Sequence, residues 1–154
     1  MKKNLVTLKT LLVTIFWKQN NFHAHGVLIH TLRVTWEIIK TRHWKMIPAG
    51  LLHDVGKPIA AHQKPEDVIN NEYSFTDHED RSFQIIKNWP FVSEYTKNLV
   101  RYHYLIRRMS KAKKKEISEY DSLRKTYDSF TPEFKKDLSI FLRCDDLGKG
   151  KADQ

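Results

Sequence analysis

Cysteine, glycine and proline are scarce in this chain of 154 residues, which contains one Cys, five Gly and five Pro. The single cysteine, Cys144, cannot form an internal disulfide and cannot by itself build a zinc–thiolate site, so a reducing cytoplasmic location is expected. The apolar share of 40%, with eight Phe, six Tyr and four Trp, is typical of a folded globular protein and not of a disordered chain.

Negative charge and long hydrophobic runs are also lacking. Asp and Glu number 18 against 27 Lys and Arg, a net charge of +9, and such a positive field favours an anionic partner. The apolar segment from Leu5 to Trp17 is interrupted by Lys9 and no small-residue cleavage pattern follows it, so a secretory signal is not expected. No other run is long enough to cross a bilayer, and no membrane partner is expected.

Helical periodicity dominates the chain, and there is no convincing strand alternation or hairpin signal. Ser93 and Thr131-Pro132 are typical helix starts, and Thr76 with Glu79 has the spacing of a capping box. The predicted helices cover about residues 4–17, 24–43, 49–55, 77 onwards, 93–108, a Lys-rich segment after that, and 131–144.

The Lys-rich helix is expected to bury Ile117, Tyr120 and Tyr127, and residues 56–76 are expected to form a polar loop. The length suits one domain with a core of its own. The sequence therefore predicts an all-α fold, a single-domain helical bundle over residues 1–154.

Several histidines and aspartates stand where core-filling residues are expected: His30, the adjacent pair His53-Asp54, His78, His103 and Asp145. Taken singly, a histidine on an apolar helix face is more often a hydrogen-bonded core residue, and Asp145 alone could be a cap or a surface charge. A buried aspartate at the end of a Leu-Leu-His run is costly unless a cation or hydrogen bonds offset its desolvation. Because five separate helix ends or faces contribute, the ordered set indicates a buried cage for two metal ions, of a kind that suits metals accepting imidazole and carboxylate ligands.

The stretch Leu51–Pro58, Leu-Leu-His-Asp-Val-Gly-Lys-Pro, resembles the central signature of the HD superfamily of metal-dependent phosphohydrolases. Arg143-Cys144-Asp145 resembles the Arg-Ala-Asp that closes many HD domains. Four further segments resemble the HD region of bacterial tRNA nucleotidyltransferases: Gln19–His23, His30–Leu32, Phe75–Ser82 and Leu99–His103. The similarity covers about residues 19–147, and the chain is too short for the nucleotidyltransferase head, so nucleotide addition is not implied.

This resemblance implies specific metal ligands. The first metal would be held by His30, His53, Asp54 and Asp145. Asp54 would bridge to a second metal completed by His78 and His103, and Asp146 is an alternative to its neighbour Asp145. A one-metal version, in which His78 and His103 act as substrate contacts or acids, is also common in the superfamily.

The implied reaction is attack on phosphorus by a metal-bound hydroxide, because a metal-bound water has a much lower pKa than bulk water. Asp54 and Lys57 are the candidate catalytic residues. By resemblance Lys57 would contact the substrate phosphate, and a solvated loop lysine is the equal alternative. His23 matches the nucleotidyltransferase-like pattern and is a candidate substrate contact.

Arginine and lysine cluster around and shortly after His103, between Arg101 and Lys115. The functional interpretation is an electropositive rim that guides RNA, DNA or a nucleotide to the metals, with Arg107 and Arg108 as substrate contacts. The ordinary interpretation is a solvated helix face. The neighbouring tyrosines Tyr102, Tyr104 and Tyr120 could stack on bases, although helical spacing favours packing roles for them.

The expected function is a metal-dependent phosphohydrolase acting on phosphomonoester or phosphodiester bonds of a nucleotide or nucleic acid. The expected cofactor is one or two divalent metal ions, with Mn, Fe, Ni, Co, Mg and Zn left open. The alternative is a non-catalytic nucleic-acid-binding module on an HD-like scaffold, which would bind in a salt-sensitive way without Asp54. The sequence does not indicate an oligomeric state.

Overall fold

The computed structural model describes residues 26–69 and 73–150. The predicted helix at 4–17 and the candidate substrate contact His23 lie outside the described residues. The described residues contain nine α-helices, in order: α1 (Val27–Lys40), α2 (Ile47–Leu52), α3 (Lys57–Ala60), α4 (Pro65–Ile69), α5 (His78–Ile86), α6 (Glu94–Tyr102), α7 (Leu105–Lys114), α8 (Glu119–Asp128) and α9 (Pro132–Gly148). A 3-10 turn at Trp44–Met46 precedes α2. The described residues therefore confirm the all-α prediction.

Helix α1 packs extensively against both α9 and α2. Helix α2 also contacts α6, which packs on α5. The core between these helices contains the fully buried side chains Val34, Ile38, Met46, Leu99 and Phe141. Among the described residues, no helix combines the length and hydropathy needed to span a membrane.

The approach of α9 to α1 is close, because Gly148 lies directly over Val34. A Cβ atom on Gly148 would stand 2.4 Å from Val34 Cγ2 and 3.1 Å from Val34 N. Asp145 lies three residues before Gly148, and His30 lies four residues before Val34, so each is one turn away on the same helix face. The small residue therefore lets α9 bring Asp145 against His30.

The prediction of a plain polar loop at 56–76 is wrong. Helices α3 and α4 lie in this segment, with a short antiparallel pair of strands, β1 (Ala61–His62) and β2 (Ser74–Phe75). Pro58 stands in the first turn of α3 instead of ending the preceding helix, a position where its missing N–H costs nothing. The strands are two residues each, too short for an alternation signal.

The predicted capping box at Thr76 and Glu79 is also wrong. Asp77 is the N-cap of α5 and has a left-handed backbone with φ of 56°, and no side chain caps the helix. Thr76 Oγ1 lies 3.4 Å from His62 Nε2 instead, and the buried Glu79 side chain lies beside Arg108. Both side chains contact residues from other parts of the fold and therefore do not cap the helix.

The caps predicted at Ser93 and Thr131 are confirmed, since each hydroxyl accepts the amide N–H three residues later. The helix starting at Ser93 ends at Tyr102, however, and not near residue 108. His103 Nδ1 donates to Val100 O at 2.7 Å, the acceptor that the Tyr104 amide would use in a continuous helix. The chain turns there, and α7 begins at Leu105.

The prediction that the buried side of the Lys-rich helix carries Ile117, Tyr120 and Tyr127 is wrong for Ile117, whereas Tyr120 and Tyr127 are half-buried. Ile117 is exposed in the turn between α7 and α8, and no residue of α8 is fully buried. Helix α8 packs mainly on α7 at the edge of the bundle, which leaves its other faces to solvent. Helix α9 continues to Gly148 beyond the predicted end near Cys144, so Asp145 and Asp146 are helical.

Candidate metal centre

Two sets of side chains converge at the centre of the bundle and share Asp54. The first set is His30, His53 and Asp54, and the second is Asp54, His78 and His103. Within each set the candidate ligand atoms all lie within 4.8 Å of one another. The side chains come from α1, from the turn after α2, from the start of α5 and from the turn after α6.

The shared carboxylate divides its two oxygens between the two sets. Asp54 Oδ2 lies 3.4 Å from His30 Nε2 and 3.2 Å from His53 Nε2. Asp54 Oδ1 lies 3.5 Å from His78 Nε2 on the other side. The ring of His103 stands edge-on to those of His53 and His78, with centroids 5.3 Å away from each. This is the arrangement that a bridging carboxylate needs.

Backbone carbonyls fix the tautomer of three of these histidines. The Nδ1 atoms of His53, His78 and His103 lie 2.8, 2.9 and 2.7 Å from the carbonyl oxygens of Gly50, Phe75 and Val100, each three residues earlier. A carbonyl only accepts, so each Nδ1 carries a hydrogen and the neutral ring has its lone pair on Nε2. Such bonds orient metal-ligating imidazoles.

Asp145 joins the first set from α9. Its Oδ1 lies 3.0 Å from His30 Nε2 and 3.8 Å from His53 Nε2. Asp146 points elsewhere, with a side chain 42% exposed against 8% for Asp145, and it pairs with Arg107 and Lys149. Of the two aspartates that the sequence left open, the structure places Asp145 at the cluster.

Asp54 itself fits a cation. Both carboxylate oxygens are buried, and apart from the Lys57 ammonium 2.7 Å from Oδ2 neither has a hydrogen bond of acceptable geometry within the described residues. Leaving a buried carboxylate without hydrogen bonds is costly, and a coordinated metal offsets that cost. Oxygen and imidazole nitrogen are ligands that Mn, Fe, Ni, Co, Mg and Zn accept. The residues present therefore fit one or two divalent ions.

Lys57 faces the same carboxylate from the first residue of α3. Its Nζ lies 2.7 Å from Asp54 Oδ2 and 5.5 Å from the centre of the Phe75 ring. The side chain is buried, so the interpretation as a solvated loop lysine is wrong. Contact with a substrate phosphate stays a prediction, now for an ammonium group inside the site.

The protonation states of the second set, which consists of Asp54, His78 and His103, are those that metal binding requires. Burial lowers the pKa of His103 to about 3 and also lowers the pKa of His78, so both rings are neutral at pH 7. Burial acts to raise the pKa of Asp54, but His53 and Lys57 outweigh it and hold that pKa well below its usual value. Neutral imidazole and ionised carboxylate are the forms that coordinate a metal ion.

The pKa values of Asp145 and His53 follow from their close contacts. Burial acts to raise the pKa of Asp145, and the hydrogen bond and charge of His30 lower it well below its usual value. Burial acts to lower the pKa of His53, but the adjacent Asp54 carboxylate raises it overall. The buried carboxylates of Asp54 and Asp145 therefore favour the binding of a proton or a metal cation at the first set.

Ser82 and Gly56 position the site, and the sequence analysis missed both roles. Ser82 Oγ donates to His53 O at 2.6 Å and accepts Gly56 N–H at 2.9 Å. These bonds attach α5, which carries His78, to the turn that carries Asp54. Ser82 lies four residues after His78 on the same helix face, which was the available signal.

We expect Ser82→Ala to lower the free energy of unfolding by about 1–3 kcal/mol, because a buried N–H and a buried carbonyl lose their partner. Chemical denaturation of the metal-free protein measures the change. Ser139→Ala is the matched control, since Ser139 is an exposed helical serine that bonds only to Lys135 O in the described residues. Equal stability of the two variants would contradict the role of Ser82.

Arg107 and Arg108 are both engaged in ion pairs with acidic side chains. Arg107 pairs with Asp146, next to Asp145, and lies over the Tyr104 ring. Arg108 forms an ion pair with Glu119, and its Nη1 atom lies 3.4 Å from Oε1 of the buried Glu79. Arg107 is thus beside the cluster, and contact of either arginine with substrate stays a prediction.

A sequence model of the HD domain matches residues 27–133, more than half of the chain, and the chain belongs to the HD domain family. HD domains form a superfamily of metal-dependent phosphohydrolases, and the two His/Asp sets are consistent with that class. No curated protein and no solved structure gives a significant match. Asp145 lies beyond the matched range, so its place in the cluster rests on the geometry.

Proposed function

We propose that the chain is a phosphohydrolase that acts on phosphomonoester or phosphodiester bonds of a nucleotide or nucleic acid. The observation that carries the proposal is the position of Asp54, whose two buried oxygens face two sets of imidazole nitrogens. The metal ligands are His30, His53, Asp54, His78, His103 and Asp145. One or two divalent ions bound there would supply an activated water and polarise the phosphoryl group.

The protein residues do the remaining work of binding and orientation. The carbonyl-bonded imidazoles present Nε2 in fixed directions, which avoids reorganisation during the reaction. Lys57 holds a positive charge inside the site, where it neutralises the charge of a substrate phosphate. The side chain of His78 is 12% exposed and that of His30 is 1% exposed, so substrate approaches from the side of His78.

Purified protein stripped with a chelator and reloaded with Mn, Ni, Co or Mg tests the proposal. Bis-p-nitrophenyl phosphate and a panel of nucleotides are the substrates. We expect hydrolysis that the chelator abolishes and at least one metal restores. His43→Ala is the control, because the exposed His43 imidazole hydrogen-bonds only to Thr41 in the described residues. Folded, metal-loaded protein that hydrolyses no phosphate ester would reject the proposal.

We expect Lys57→Met to lower kcat about 100-fold, as loss of one electrostatic contact to a reacting group does. Methionine retains most of the buried length of the side chain and removes the charge. Metal content by mass spectrometry is expected to stay at the wild-type level, because Lys57 is not a ligand. Unchanged kcat with unchanged metal content would show that Lys57 serves only to neutralise the negative charge of the Asp54 carboxylate.

A further inference from the structure

Four side chains lie in a line along α7, and we call them the α7 stripe: Tyr104, Arg107, Lys111 and Lys114. Their spacing of three, four and three residues puts them on one face of the helix. The line is about 15 Å long at about 1.5 Å per residue. It begins at the candidate metal centre, because the ring centroids of Tyr104 and His78 are 5.6 Å apart.

The inner end of the stripe is an aromatic ring with two cations against it. Arg107 Cζ lies 5.5 Å and Lys111 Nζ 5.4 Å from the centroid of the Tyr104 ring. Lys111 Nζ also donates to Tyr104 Oη at 3.2 Å. A tyrosine and a guanidinium group are the planar surfaces on which unpaired bases stack.

The outer end of the stripe consists of exposed lysines. Lys111 and Lys114, with their neighbours Lys113 and Lys115, form no ion pair with a carboxylate in the parts of the chain that the structure describes, whereas Arg107 is paired with Asp146. Lysines at the end of a helix are favoured by the helix dipole. The dipole does not account for the alignment of Lys111 and Lys114 with Tyr104.

We propose that the α7 stripe binds a single-stranded nucleic acid, with a base against Tyr104 and Arg107 and successive phosphates on Lys111 and Lys114. A strand bound in this way extends from the metal centre along α7. A single nucleotide at the metals would reach only the Tyr104 end and would leave the outer lysines unused. The substrate class rests on the proposed function, while strand binding is measurable without it.

The test is fluorescence anisotropy of a labelled oligothymidylate of roughly ten nucleotides, within the usual site size for single strands. Chelator is present throughout, so the measurement is independent of hydrolysis. The Lys111→Ala/Lys114→Ala variant is expected to bind about tenfold more weakly at about 50 mM salt, with a salt slope smaller by about 1.4. The control, Lys87→Ala/Lys136→Ala, removes the same charge at exposed lysines outside α7, at the C-cap of α5 and in α9, and is expected to bind as wild type.

The aromatic contact is tested separately with two substitutions of Tyr104. Tyr104→Leu is expected to weaken strand binding about tenfold, because the stacking surface is lost. Tyr104→Phe keeps the ring, loses only the hydroxyl that bonds to Lys111, and is expected to bind within about twofold of wild type. Thermal unfolding of each variant confirms that it is folded. Equal loss in both variants would contradict stacking.

Other results would overturn the inference. These are no strand binding by wild-type protein, equal weakening by both double variants, or binding of ATP as tight as binding of the strand. Hydrolysis of bis-p-nitrophenyl phosphate without strand binding would reject the α7 stripe and leave the proposed function intact. Stripe-dependent strand binding without hydrolysis would support the stripe and reject the proposed function.

Discussion

Asp54→Asn is expected to remove both metal binding and phosphate ester hydrolysis. Asparagine keeps the size of the side chain but loses the negative charge and one oxygen ligand. Since Asp54 faces both sets of histidines, we expect one substitution to disable both candidate metal sites. We expect turnover to fall at least about 1000-fold, which corresponds to about 4 kcal/mol of lost transition-state stabilisation. Metal content by mass spectrometry and hydrolysis of bis-p-nitrophenyl phosphate measure the two effects.

Asp146→Asn is the matched control for this prediction. Asp146 follows Asp145 directly in α9 but is turned towards Arg107 and Lys149. We therefore expect its variant to keep wild-type metal content. Retention of metal by Asp54→Asn would contradict the assignment, and loss of metal in Asp146→Asn would show that the wrong aspartate has been assigned.

Gly56→Ala is expected to destabilise the protein strongly, because the position has no space for a methyl group. A Cβ atom there would stand 2.3 Å from Ser82 N and 2.7 Å from both Arg81 C and His78 O. All three are backbone atoms of α5, so the helix itself has to move. We expect a loss of about 3 kcal/mol, the upper end for overpacking, and a fall in Tm of roughly 6–12 °C for a chain of this size.

The displacement of α5 has a second consequence, because this helix begins with His78. We expect Gly56→Ala to bind metal more weakly even under conditions where it is fully folded. Gly50→Ala is the control, since a Cβ at that position meets first the flexible end of a side chain, Ile38 Cδ1 at 2.8 Å, and its nearest backbone atom is Thr35 Cα at 3.4 Å. If both glycine variants lost equal stability, the backbone contact at Gly56 would not be the cause.

The ligand set could be predicted from the sequence because its signals are local. His53 and Asp54 follow an apolar run, and His30 and His103 interrupt others, so each polar residue is conspicuous in its own segment. The helices at Ser93 and Thr131 were predictable for the same reason, since a cap hydroxyl and the amide N–H that donates to it lie three residues apart. In the folded chain the histidines and Asp54, which are separated in sequence, lie close together.

The features that the sequence did not reveal depend on contacts between distant segments. Glu79 has the spacing of a capping residue, but in the folded chain it lies beside Arg108, 29 residues away. In the sequence Ser82 is indistinguishable from an ordinary helical serine, because its bonds to Gly56 and His53 join segments that are distant along the chain. Helix propensity is a weak prior that tertiary contacts of this kind override.

Anomalous diffraction from a crystal of the Mn-loaded protein would show where the metal ions bind. We expect a peak within about 2.0–2.3 Å of Asp54 and of imidazole Nε2 atoms, at one or both of the two sets. A fully loaded crystal whose anomalous peaks all lay away from Asp54 would contradict the assignment of this metal centre.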